Sequence, residues 1–184
     1  MRPNRHVFIL TGAQGEGKTT RLKELIGKLR SSGLSLYGFY AKGYWENGQR
    51  SRFDLVDVQT GKQKLLCTNQ RASGFWRQGR FYFDPETIRW GTMLLDGDKE
   101  GLAIMDEVGR FELDGKVWAS LLMQLVQNDK PVLMVVRQVF VQEVIDKFGI
   151  VNPQIISPDD DLQEVAQGML HYLKGLNRKN SVGD

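Results

Sequence analysis

The 184 residues carry 25 Lys and Arg against 22 Asp and Glu, a net charge of +3, with 41% hydrophobic and 26% charged residues. That length suits a single domain, 1–184, with one sizeable core, and crowds out two. One cysteine, Cys67, excludes an internal disulfide framework and a cysteine-based zinc site, while two histidines, His6 and His171, leave little for metal binding.

Residues 6–11, HVFILT, form a short β-branched and aromatic run that predicts a strand buried on both faces. A glycine loop follows, then a helix in which Leu22, Leu25, Ile26 and Leu29 share one face and Ser31-Ser32-Gly33 ends the run. Residues 34–40 predict the next strand. Glu46-Asn47-Gly48-Gln49 is a hairpin turn signal, Phe53 to Val58 alternates with period two, and Thr60-Gly61-Lys62 marks a second turn. These features predict an antiparallel meander inserted at about 42–83. The stretch 68–80 is polar and aromatic and gives no clear period; a strand is expected over 80–83.

Asp84-Pro85 predicts a capped helix through about Leu95. Leu102 to Met105 reads as another buried strand, and the helix after it is expected to carry Val117/Trp118, Leu121/Leu122 and Leu125/Val126 on one face. A strand over 131–136, a helix over 141–148, a strand over 154–156 and a last helix capped by Ser157-Pro158 complete the alternation. The tail from Asn177 is polar and expected to fray. Strands and helices that alternate, with wholly apolar strands, predict an α/β fold: a mostly parallel sheet covered on both faces, whose ligand sits at the C-terminal strand ends.

Gly12-Ala13-Gln14-Gly15-Glu16-Gly17-Lys18-Thr19 matches G-x-x-x-x-G-K-[ST], which a chain of this composition meets by chance about once in a hundred cases. It lies between a predicted strand and a predicted helix, where successive backbone N–H groups converge on phosphate oxygens and the helix N-terminus adds positive charge. Residues 12–20, Thr20 included, are therefore the expected phosphate site. Lys18 is expected at the β- and γ-phosphates and the Thr19 hydroxyl on Mg²⁺.

The fate of the phosphate turns on Leu102-Ala103-Ile104-Met105-Asp106-Glu107, four apolar residues closed by two carboxylates. Asp106 is the expected second Mg²⁺ residue, and Glu107 the base that polarises a water. Arg110 and Arg137, both at the same sheet edge, are candidates to neutralise developing charge in cis, with Lys42, Arg50 and Arg52 as weaker ones; Arg110 paired with Glu112 is the competing structural role.

These residues resemble the small P-loop nucleoside-triphosphatase family typified by the thermophilic phosphohydrolase and the human cancer-related nucleoside-triphosphatase. Three blocks carry the likeness: Ile9 through Thr20; Gly38-Phe39-Tyr40 with Phe53-Asp54-Leu55-Val56-Asp57 and Thr60-Gly61; and Met105-Asp106-Glu107-Val108-Gly109-Arg110-Phe111-Glu112-Leu113. The last is similar to the family's Asp-Glu-Ile-Gly-Lys-Met-Glu-Leu. The resemblance implies a RecA-like P-loop three-layer sandwich that slowly hydrolyses ATP, GTP and other nucleoside triphosphates with Mg²⁺ and loose base selectivity. Arg110-Phe111 replaces the usual Lys-Met, and residues 41–45 lack the Thr-x-Glu-x-Arg-like continuation.

Two other functions stay open on the residues: a nucleotide or small-metabolite kinase, for which 131–161 holds few lid cations, and a nonenzymatic nucleotide-binding accessory protein whose partner reads Tyr44, Trp45, Phe75 and Trp76. The basic excess forms no block, so nucleic acid is not indicated. Residues 7–10 are too short for a signal segment and no run reaches membrane-spanning length, so the expectation is a cytoplasmic chain without a membrane partner, monomeric, with a protein partner left open.

Overall fold

The computed structural model describes residues 6–180, without the side chains of 175–180; of the tail expected to fray from Asn177, the backbone of 177–180 continues the last helix and 181–184 lie outside the described residues. In chain order the elements are β1 (Val7–Gly12), α1 (Lys18–Ser31), β2 (Leu36–Glu46), β3 (Gln49–Asp57), β4 (Gln63–Thr68), β5 (Trp76–Gln78) and β6 (Phe81–Phe83). Then follow α2 (Pro85–Leu95), β7 (Leu102–Val108), α3 (Arg110–Leu113), α4 (Ala119–Gln127), β8 (Val132–Arg137), α5 (Val141–Phe148), β9 (Gln154–Ile156) and α6 (Leu162–Asn180). Among the described residues the nine strands form one sheet in the order β5-β6-β4-β3-β2-β7-β8-β1-β9.

The β2-β7-β8-β1-β9 part is parallel throughout. Its strands are apolar because both faces are covered: Phe8, Leu10, Leu102, Ile104, Leu133 and Val135 pack with α1 and α6 residues, while Val7, Ile9, Met105, Val132 and Met134 pack with α4 and α5 residues. Successive side chains point to opposite faces, so β1, β2, β7 and β8 each feed both clusters, while β9 adds only Ile156 to the α1–α6 side. Each fully buried side chain of this size contributes about 1.5–3 kcal/mol of hydrophobic stabilisation.

β2 is longer than its apolar run suggests. It leaves the parallel sheet after Phe39 and continues to Glu46 as the first leg of a hairpin with β3. Asn47 and Gly48 both have positive φ, 48° and 75°, the pair of angles that a two-residue hairpin turn with matching twist needs. β3, β4, β6 and β5 then run antiparallel. The period-two pattern of 53–58 does not set one wet face, since Asp54 through Val58 are all buried. β3 lies between β2 and β4, and the buried Asp57 is used locally, accepting from Gln59 N and Thr60 Oγ1. Trp76 stacks on Phe83, and both meet Phe111 edge-on, so this aromatic cluster ties the antiparallel strands to α3. Trp45, by contrast, is 63% exposed, with the Arg50 guanidinium over its ring.

Two helix boundaries differ from expectation. The segment after β7 is not one helix: Gly115 (φ 74°) and Val117 (φ 53°) break it, and Trp118 precedes α4, donating its indole N–H to Ile88 O at 3.2 Å. The last helix is capped by Asp161, whose Oδ1 accepts from Gln163 N and Glu164 N, and not by Ser157-Pro158. Arg21 of α1 instead donates to Ser157 O and Asp160 O, holding that loop beside the glycine motif.

Gly38 has φ +101°, and a Cβ there would lie 2.2 Å from Ile104 O on the neighbouring strand. Gly38→Ala is expected to lower unfolding stability by about 3 kcal/mol or more, measured by chemical denaturation; an unchanged midpoint would contradict the close β2–β7 contact. Cys67 is buried in β4, and burial pushes its thiol up to about 12. Native protein at about pH 8 should leave the thiol unreacted with a disulfide reagent, whereas denatured protein should react fully.

Candidate active site

β1 ends at Gly12 and α1 begins at Lys18, so the glycine loop opens at the C-terminal edge of the sheet, as expected. Gly15 and Gly17 have φ of +88° and +74°, which β-carbon-bearing residues adopt only with strain. No side chain caps α1 and no acid lies in its first turn, leaving its N-terminal N–H groups to a ligand. Ala13 through Gly17 are exposed. Two charged side chains meet the loop backbone: Glu16 Oε2 accepts from Ala13 N at 2.6 Å, and Lys18 Nζ donates to Gly12 O at 3.2 Å and Ala13 O at 2.6 Å. An anion thus already sits on a loop N–H, and the lysine head lies over the loop itself.

Asp106 arrives from β7 on the α1 side of the sheet. Its Oδ2 lies 3.4 Å from the Thr19 hydroxyl, which donates to it across 87 residues of sequence, and also accepts from Ala41 N at 3.2 Å. The carboxyl is 3% exposed, and burial, followed by the neighbouring Glu107 charge, pushes it up to about 7; the Ala41 N–H, the Thr19 hydroxyl and Lys18 act in the opposite direction. A buried carboxylate short of positive charge, with a hydroxyl beside it, is an oxygen donor set of the kind a hard divalent cation takes. Among the described residues no group of three or more His, Cys, Asp or Glu could enclose a metal, so Thr19 and Asp106 would offer only two protein oxygens to a cation.

Glu107 is the extra residue of a bulge: Asp106 pairs with Val135, but Val136 pairs with Val108. A bulge re-aims a side chain at a strand end. The Asp106–Glu107 peptide is cis. Glu107 Oε1 lies 2.6 Å from Arg137 Nε, an ion pair whose side chains are 36% and 43% exposed. Arg137 in turn lies beside Gly12 in the β1–β8 register.

The structure therefore brings Gly12–Thr20, Asp106, Glu107 and Arg137 to one edge. Arg110 opens α3, with its guanidinium 5.0 Å from the Phe140 ring centre. Its expected partner Glu112 is buried and accepts from Gly109 N at 3.0 Å, and burial pushes that carboxyl up to about 7. Lys42, Arg50 and Arg52 lie against Tyr44, Trp45 and Tyr44 respectively. Sequence reasoning missed Ala41, whose contribution is a backbone N–H and carries no side-chain signal. It also missed the Glu112 bond to Gly109, for which the three-residue spacing was the available cue.

Residues 7–156 match the family model described as NTPase. The chain is 35% identical to nucleoside-triphosphatase THEP1 of Caldivirga maquilingensis over 107 residues, 58% of this chain and 60% of that protein. It is 32% identical to the protein of the same name from Saccharolobus solfataricus over 134 residues, 72% of this chain and 75% of that one. The crystal structure of THEP1 from the hyperthermophile Aquifex aeolicus superposes with a TM-score of 0.65 at 21% identity, covering 86% of this chain and 95% of that one. The solution structure of a human cancer-related nucleoside triphosphatase gives 0.63 at 22% identity, covering 93% and 98%. Both share this α/β fold. With a family match that runs from the strand before the glycine loop to the last strand of the sheet, this chain belongs to the NTPase family.

Proposed function

We propose that the chain binds a nucleoside triphosphate on Gly12–Thr20 and hydrolyses its terminal phosphate in an Mg²⁺-dependent reaction, slowly and with little preference among bases. The observation that carries this is the meeting of Thr19 and Asp106 at 3.4 Å, with Glu107 one residue further along β7. The named relatives are nucleoside-triphosphatases, which supports the same reading.

Lys18 Nζ leaves the Gly12 and Ala13 carbonyls for the β- and γ-phosphate oxygens, and the loop N–H now bonded to Glu16 turns to phosphate. Thr19 and Asp106 would hold Mg²⁺, which would supply positive charge to neutralise those oxygens. Glu107 accepts a proton from the water that attacks the γ-phosphorus, while the bond to the bridging oxygen breaks and the diphosphate departs with its electron pair. The residues gathered at this edge address phosphate and water, which supports the reading of loose base selectivity. Among Arg50, Arg52, Arg71, Arg77 and Arg80, which could cover a kinase acceptor, the first two and the last two lie against aromatic rings of the antiparallel strands, so turnover that requires an added acceptor would be the mark of that second reading. The strand β8 between the loop strand and the acidic strand fits a RecA-like arrangement. Among the described residues no helix is long and apolar enough to cross a membrane, and we read the chain as a cytoplasmic monomer.

Lys18→Ala removes two charge-assisted bonds and should weaken Mg-ATP affinity about 100-fold in calorimetric titration. Undiminished affinity would remove the loop from phosphate binding. Glu107→Gln should bind Mg-ATP within about threefold of wild type while phosphate release falls about 100-fold or more. Release at the wild-type rate would return Glu107 to a structural role. Phosphate release from ATP, GTP, CTP and UTP, each assayed with and without an added hydroxyl acceptor, separates hydrolysis from transfer.

A further inference from the structure

Arg137 is the last residue of β8, the strand that separates the glycine-loop strand from the acidic strand. On one side its register partner is Gly12, the first residue of the loop; on the other its Nε reaches Glu107 Oε1 at 2.6 Å. One permanently charged side chain therefore stands between the phosphate-binding backbone and the carboxylate assigned to water. Both partners keep a third or more of their side-chain surface in solvent, and an exposed ion pair is easily exchanged for a stronger one. A γ-phosphoryl group offers two or three charged oxygens in the geometry a guanidinium fork prefers. The other cation expected here, Arg110, is exposed and lies 5.0 Å from the Phe140 ring centre.

We propose that Arg137 is a two-position residue of the reaction: without nucleotide it holds Glu107, and with a triphosphate its guanidinium moves to the γ-phosphate and releases Glu107 to the attacking water. This rests on the hydrolysis reading above. The water oxygen bonds to the γ-phosphorus as the bond from that phosphorus to the bridging oxygen breaks. One water proton passes to the freed Glu107 carboxylate and then to solvent, and the diphosphate leaves with the electron pair. Arg137 stays protonated throughout and neutralises charge building on the γ oxygens. A diphosphate lacks that group and leaves Arg137 on Glu107, so the same residue distinguishes substrate from product.

The test compares wild type, Arg137→Ala and Arg137→Lys in binding of Mg-ADP and of a nonhydrolysable Mg-ATP analogue, and in phosphate release from Mg-ATP. Arg137→Ala should bind ADP like wild type, lose about tenfold of the preference for the analogue over ADP, and turn over about 100-fold more slowly. Added guanidinium ion should restore part of that turnover, which it would not do for a structural defect. Turnover that is unchanged or raised in Arg137→Ala would show a mere clamp on Glu107 and overturn the proposal, as would equal loss of ADP and analogue affinity. If the alanine variant does not fold, Arg137→Lys carries the comparison: retained ADP affinity with a reduced analogue preference supports the proposal, and a wild-type preference overturns it. Wild type that releases no phosphate from any triphosphate would sink the hydrolysis reading, while the analogue preference would still decide whether Arg137 meets a γ-phosphate.

Discussion

The carboxylate of Asp106 is the point on which the site depends. A single oxygen accepts from the first turn of α1 through Thr19 and from the backbone of β2 through Ala41, while its own residue belongs to β7. Three separate elements are thereby held to one another at the edge of the sheet. The carboxylate is buried, so each of these donors offsets a desolvation cost that a lone charge there could not meet. Moving α1 or β2 away would leave it with one of its two donors. That obligation fixes the glycine loop at a set height over the strand ends.

The same polar economy explains the loop. Its N–H groups need acceptors and its lysine needs anions, and in this chain Glu16 and the Gly12 and Ala13 carbonyls serve both needs locally. These contacts are exposed or partly exposed, so they are cheap to exchange for phosphate oxygens. The Arg137–Glu107 pair has the same character one strand away. Buried bonds set the frame, and half-exposed ion pairs mark the places where a ligand can enter without unfolding anything.

Legibility followed this division. The strands expected at 6–11, 102–105 and 131–136 could be read, to within a few residues of 7–12, 102–108 and 132–137, because a parallel sheet covered on both faces demands continuous apolar runs, and the glycine spacing stated the loop outright. The hairpin at Asn47-Gly48 was equally plain, since few residues tolerate two positive φ angles in succession. The break at Val117 was hidden, because a β-branched residue in the left-handed region is held there by its surroundings and gives no sign in composition. The cap at Asp161 was masked by Ser157-Pro158, a stronger local signal overridden when Arg21 captured that loop. Ala41 was invisible, its role being that of a peptide N–H.

The position of β8 decides which of these features can communicate. Had the acidic strand paired directly with β1, Asp106 and Glu107 would both abut the loop, and no residue could stand between phosphate and base. With β8 interposed, its last residue touches both sides, in register with Gly12 and within 2.6 Å of Glu107. A short side chain at that place would leave the gap to water. An arginine fills it with a charge already paired with the Glu107 carboxylate and, in the reaction proposed for this site, wanted by a phosphate as well, so the strand order would create the competition that couples nucleotide state to the base.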